Sequence, residues 1–320
     1  MSAYEKLAVH EDSKYDEHLK NAEKLDIDFF DKDKILAFGE DYNIMPEEAK
    51  EHILKAWEVL KDDEDYKRIA KAIYYFMKND IVISKLAPDF EKEPVKAEFV
   101  SFFPIWYMAE EFANDAKKRG IPKEIVSKTL MAICGCVIRN VGYTGRVGTS
   151  GFFTWLPYYP QGKLFKINDF EFENAKHDGK SAVGVHIPAK TKLDVLDNLK
   201  SFKEGLDFFD KYYPELEMTG MVCESWMLST EVEEVMGGPT NVTRFGDMFD
   251  RYDIGDTKGM AVCRFVFGQG TPYPPVEELP ENTTMQRKMK EYMLSGKRVY
   301  AKGGFISREK LNNMIKELEG

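Results

Sequence analysis

Residues Ser181–Asp194 read SAVGVHIPAKTKLD. Val183, Val185 and Ile187 alternate with Gly184 and His186, the period of two that marks a strand. The strand ends at Pro188, a short polar segment follows, and then VLDNLKSFKEGLDFFDKYY begins. There Leu196, Leu199, Phe202, Leu206, Phe209 and Tyr213 recur on one helical stripe. A strand–loop–helix unit of this kind has two uses. Its helix N-terminus can hold a phosphate on backbone N–H groups, with Lys190 and Lys192 adding charge. Alternatively, Thr191 and Asp194, three residues apart, occupy the same N–H groups as a variant capping box. The loop from Ala189 to Leu193 has no glycine, and Asp194 would repel a phosphate. Both readings stay open at this level.

Outward from this unit, strand-like runs dominate the second half of the chain. GFFTWLPYY and KLFKINDFEFE flank Pro160-Gln161-Gly162, which predicts a hairpin. TGMVCESWMLS, GMAVCRFVFG and KRVYAKGGFIS read as further strands, and STEVEEVMGG and TTMQRKMKEYMLSG as helices. The first half is helical. EEAKEHILKAWEVLKDD puts Ile53, Leu54, Trp57 and Leu60 on one face, and DYKRIAKAIYYFMKND does the same with Ile69, Ile73, Phe76 and Met77. AEFVSFFPIWYMAEEFANDAKKRG reads as one longer helix with a possible kink at Pro104, closed by basic residues and Gly120. The character changes near VGYTGRVGTSG, whose glycines read as a flexible hinge because no strand precedes them as a phosphate fingerprint requires. The expected organisation is an α+β chain: a helical N-terminal bundle over 1–145 and a mixed-sheet domain over 146–320.

Composition narrows the function classes. The 320 residues are 43% hydrophobic and 13% aromatic, the make-up of a folded chain long enough for two domains. A net charge of −10 argues against general binding to nucleic acid or to an anionic membrane. The opening MSAYEKLAVHEDSKYDEHLK has no apolar core of a secretory signal, and charges interrupt the longest apolar stretches. Four cysteines make no disulfide framework; Cys134 and Cys136 read as buried thiols, and no metal is indicated. A reducing cytoplasm fits these features.

FKINDFEFE, VGVHIPAKTKLD, FFDKYYPE and VCESWMLS, followed by TNVTRFGDMF, together resemble bacterial acyltransferase-domain proteins. Those have a helical N-terminal domain and a C-terminal domain like the GCN5-related N-acetyltransferase (GNAT) fold. The resemblance implies transfer of an acyl group from acyl-CoA or acetyl-CoA, as co-substrate, to a small-molecule amine by direct attack. It implies a CoA grip at Ile187, Ala189, Lys190, Thr191 and Lys192. This sequence departs from the usual GNAT loop, which carries glycines and an initial Gln or Arg. The departure leaves a non-catalytic GNAT-like module, binding a small molecule or a partner, as the alternative.

Thioester aminolysis needs a base for the amine, a held carbonyl and an acid for the departing thiolate. His186, off the most apolar face of its strand, is a candidate base; a histidine tied to backbone gives the same pattern. Glu171 and Glu173 share one side of DFEFE, which a solvated face also explains, and the resemblance singles out Glu173 as base or amine anchor. Tyr252 falls roughly where GNAT enzymes place a tyrosine acid. Ser225 is a candidate substrate contact and Trp226 a packing residue or pocket wall. Cys223 with His186 would make a thiol nucleophile, although a cysteine on an apolar strand usually belongs to a core.

Overall fold

Two units divide the chain, Met1–Phe165 and Lys166–Gly320. The computed structural model describes residues 7–9, 14–81, 83–86, 93–189, 191–269 and 273–319.

The first unit is helical: α1 (Tyr15–Glu23), α2 (Lys32–Asp41), α3 (Glu47–Leu60), α4 (Glu64–Lys78), α5 (Pro94–Phe99), α6 (Phe102–Arg119), α7 (Lys123–Arg139) and α8 (Val141–Thr144). A short antiparallel pair, β1 (Leu7–Val9) and β2 (Ile83–Leu86), accompanies them. The helical stripes bury as their spacing predicts: Ile53 and Leu60 on α3, and Ile69, Ile73, Phe76 and Met77 on α4. Asp31 and Asp63 start α2 and α4 by accepting from the N–H groups of Lys34 and Tyr66. The single long helix expected around Pro104 is two helices, because the chain breaks at Val100-Ser101. Pro104 then sits in the first turn of α6, where its missing N–H costs nothing. Residues Lys123–Thr144 are long and apolar enough to cross a membrane by length and composition, contrary to the expectation of interrupted stretches. Val126, Leu130, Ile133, Cys134 and Val137 on this stretch are buried, as on a core helix.

The glycine-rich run is not a loose hinge. Asn140, fully buried, donates through Nδ2 to Glu98 Oε2 at 2.7 Å and to the Arg146 carbonyl at 2.9 Å. Its Oδ1 accepts from Gly151 N at 2.7 Å, and Ser150 Oγ also donates to Glu98. A buried carboxylate and amide thus pin residues 146–151 inside the first unit.

The sheet runs β3 (Leu164–Ile167), β4 (Phe170–His177), β5 (Lys180–His186), β6 (Gly220–Ser225), β8 (Lys302–Ser307) and β7 (Asp250–Asp253), in that spatial order. Strands β5 and β6 pair in parallel, whereas β4–β5, β6–β8 and β7–β8 are antiparallel. Helix α9 (Val195–Tyr212) connects β5 to β6 and covers the face that carries Phe170 and Phe172. Its Phe202 ring lies 5.2 Å from Phe170 and 6.5 Å from Phe172, with Leu199, Leu206 and Phe209 also buried. The last helices are α10 (Glu231–Met236), α11 (Asn241–Asp247), α12 (Ala261–Phe265), α13 (Thr284–Leu294) and α14 (Arg308–Glu319).

Three strand expectations change. GFFTWLPYY forms 3-10 turns at Ser150–Phe152 and Leu156–Tyr158, and the hairpin bends instead between β3 and β4, where Asn168 takes φ 53°. Asn tolerates that left-handed conformation, so the turn needs no Pro-Gly signal. GMAVCRFVFG contains α12, because Val262 and Cys263 pack with Trp226, Val232, Met289 and Met293 in a satellite core rather than joining the sheet. The strand that does pair there is the short, charged β7.

Candidate functional site

Two central strands part soon after they meet. The parallel ladder joins β5 to β6 at Val183–Met221 and Gly184–Val222. Continued by two residues, that register would set His186 beside Glu224, but the ladder stops short of them. On their outer sides both strands stay paired: Glu171 faces His186 across β4–β5, and Glu224 faces Gly303 across β6–β8. Tyr252 faces Gly303 from the other side. Residues opposite each other in a ladder project to the same face. Glu171, His186, Glu224 and Tyr252 therefore form one row across the sheet, on the face away from α9, interrupted where β5 and β6 part.

Glu173 joins the row from the next position along β4. Its Oε1 lies 3.0 Å from His186 Nε2, both side chains about one-third exposed at 29% and 33%. The structure thus unites the two residues that the sequence named separately. Gly184, opposite Glu173, makes the contact possible: a Cβ there would lie 2.7 Å from Glu173 Cγ. Gly303 plays the same part under Tyr252, whose ring occupies the space a Cβ would need. The Tyr252 ring also lies 5.1 Å from that of His177, which stacks on Phe305 at 4.2 Å. Burial first, then the Glu224 carboxylate, raises the Tyr252 hydroxyl above the usual phenol range, so it keeps its proton.

The loop after β5 differs from the expected capping box. Asp194 is the N-cap of α9, accepting from Asp197 N at 3.1 Å. Thr191 turns away from the helix and donates its hydroxyl to the Pro188 carbonyl at 2.8 Å. The reason is local: the Thr191 N–H also bonds the Pro188 carbonyl, closing a turn that ends before the helix starts. Ile187 is half-buried, Ala189 and Lys192 are exposed, and Lys190 lies outside the described residues.

The remaining candidates sit elsewhere. Ser225 Oγ accepts from Met227 N at 3.2 Å and so starts a 3-10 turn. Trp226, 6% exposed, packs in the satellite core. Cys223 points to the α9 side, opposite His186, and burial pushes its thiol up to about 12. A thiol so held is no thiolate at neutral pH, and the nucleophile reading falls. All four cysteines are free and buried. In the first unit a cavity of about 230 Å³ is lined by Met77, Ile81, Phe153, Pro157 and Tyr158, with Lys163 and Asp80 paired beside it. None of the expected site residues lines it. Glu224 was not singled out from the sequence, because only the register sets it in the row.

A mixed sheet whose parallel pair parts beside a strand–loop–helix unit defines a GNAT-like fold. The chain belongs to the family of the GNAT-like C-terminal domain, which matches residues 107–306. Among solved structures it is similar to an acyltransferase in complex with decanoyl-CoA and teicoplanin: 18% identity over 93% of this chain and 96% of that one, TM-score 0.76. An acyltransferase with CoA and 10C-teicoplanin gives 17% identity over the same shares, with a TM-score of 0.77. One with decanoyl-CoA gives 19% over 83% and 85%, with a TM-score of 0.71. At these identities the likeness establishes the fold. No curated protein matches the chain.

Proposed function

We propose that the protein transfers an acyl group from acyl-CoA to an amine by direct attack. The 3.0 Å pairing of His186 with Glu173, at the edge of the parted strands, carries this reading. The decanoyl-CoA bound to two of the similar solved structures, and the CoA bound to a third, support the co-substrate. The amine nitrogen attacks the thioester carbonyl and gives up its proton to neutral His186, while Glu173 orients the ring and stabilises the imidazolium. The tetrahedral intermediate then expels the CoA thiolate, which takes the Tyr252 proton. The amide product keeps the new C–N bond and the C–S bond is broken. The pantetheine arm is an extended chain with two amides, and the parted edges of β5 and β6 offer it strand-like partners. The start of α9, with Ile187, Ala189, Thr191 and Lys192 nearby, would take the phosphates. Four buried free thiols and a CoA co-substrate suit a reducing cytoplasm.

The glycine-free loop, capped by a carboxylate, is the one observation that favours a non-catalytic binding module instead. The deciding assay follows free thiol release from acetyl-, octanoyl- and decanoyl-CoA with a panel of primary amines, alongside thermal stability with each CoA. Ligand at 100 times its dissociation constant should add about 2.7 kcal/mol of stability. His186→Ala and Glu173→Gln should then lower kcat by about 10²–10⁴-fold without abolishing that stabilisation. CoA-induced stabilisation without thiol release above the enzyme-free background, for any acyl-CoA and amine tried, would establish the binding module.

A further inference from the structure

Asn198 is 1% exposed, and its Nδ2 has no hydrogen-bond partner among the described residues. Buried amide donors in native proteins are rarely left so, and one that is calls for a partner absent from the free protein. Its position says which partner. Asn198 lies one turn before Phe202 on the inner stripe of α9, so both face the sheet. Phe202 meets Phe170 and Phe172, and Phe172 pairs with Val185 near the end of β5. One turn toward the helix start therefore sets Asn198 at the C-terminal ends of β5 and β6, beyond the two positions at which they pair. The helix start, the parted strands and an unsatisfied buried donor converge there.

A donor in this place calls for an uncharged acceptor. The phosphates belong farther out, at the exposed first turn, because the Asp194 carboxylate already accepts from the helix N–H of Asp197. The pantetheine arm of CoA carries amide carbonyls at the depth between the phosphates and the thioester. We infer that Asn198 is a binding residue for that arm, donating its Nδ2–H to a pantetheine amide carbonyl. This rests on the acyl-CoA reading above.

The test compares CoA with adenosine 3′,5′-bisphosphate, which lacks the arm, on the full chain and on Asn198→Leu. Calorimetry should show CoA binding about tenfold weaker in the variant, the weight of one hydrogen bond to a buried donor, and unchanged binding of the bisphosphate. The ligand-free variant should be at least as resistant to heat as the native protein, because leucine replaces an unpaired amide by an apolar group of similar volume. Asn198→Ala supplies the same comparison of ligands if the leucine variant does not fold. Equal CoA affinity in native and variant proteins overturns this inference alone. Equal loss for CoA and the bisphosphate assigns Asn198 a structural role and also overturns it. Failure of the native protein to bind CoA at all overturns the acyl-CoA reading together with it.

Discussion

Gly184→Ala tests the glycine floor under the paired carboxylate. The new Cβ would stand 2.7 Å from Glu173 Cγ and 3.1 Å from Ala175 Cβ. Carbon atoms settle at about 3.5–4.0 Å, so Glu173 must retreat by roughly 1 Å. Its carboxylate, now 3.0 Å from His186 Nε2, would then stand about 4 Å away, at the outer limit of an ion pair. Overpacking costs about 1–3 kcal/mol in a closed core; Glu173 can swing toward solvent, so the low end applies here. That corresponds to a fall in melting temperature of a few degrees, about 2–4 °C per kcal/mol. The effect on turnover is larger, about 10²-fold for a misplacement of this size. The assay is kcat for thiol release in four proteins: native, Gly184→Ala, Glu173→Gln and the double variant. If alanine acts through Glu173, it should cost little once Glu173 is already glutamine. A full loss on top of Glu173→Gln, or native turnover in Gly184→Ala, would refute the reasoning.

Asn140→Ala should destabilise the first unit by about 3 kcal/mol, because it strips a donor from the Glu98 carboxylate, which is only 7% exposed. A chemical-denaturation midpoint shows this, and a change below about 1 kcal/mol would mean that the knot does not hold the glycine-rich run. Cys223 predicts a loss of stability in alkali. Its thiol titrates near 12 when folded against the ordinary 9.0, so as pH rises the unfolded chain releases this proton first. The contribution is complete below about pH 9 and is lost as pH climbs toward 12. Cys223→Ala should flatten that part of the denaturation profile; an unchanged slope between about pH 9 and 11 would show the thiol to be accessible in the folded state.

The strand–loop–helix unit was readable because its two periods are strong and adjacent: Val183, Val185 and the stripe from Leu199 to Phe209 bury as spaced. Helices α3 and α4 were readable for the same reason. Apolar runs without a period misled. GMAVCRFVFG is as apolar as a strand, and whether it joins the sheet or the satellite core is decided by Trp226, Met289 and Met293, which are distant in sequence. β7 carries no strand signal in DRYD; it pairs because β8 offers an edge. The cap of α9 moved from Thr191 to Asp194 because the Pro188 carbonyl claims the Thr191 hydroxyl.

Half of the candidate site was within reach of the sequence by counting. Asp178-Gly179 is a two-residue hairpin connection, and both residues take positive φ, 49° and 75°, as the turn that matches strand twist requires. From that turn the register follows outward: His177 opposite Lys180, Glu173 opposite Gly184, Glu171 opposite His186. Glu173 and His186 thus share a face by local geometry alone, with a glycine where the carboxylate must lie flat. Glu224 and Tyr252 are different. Their place in the row depends on a parallel crossover through α9 and on two antiparallel pairings to β8, a strand that begins 50 residues after Tyr252 in the chain. The parting of β5 and β6 has no local signal either, since Val185, His186, Cys223 and Glu224 all have the spacing of a continuing strand. What stops the ladder is tertiary, so the residues beside the gap take on a common role only once the sheet has assembled around it.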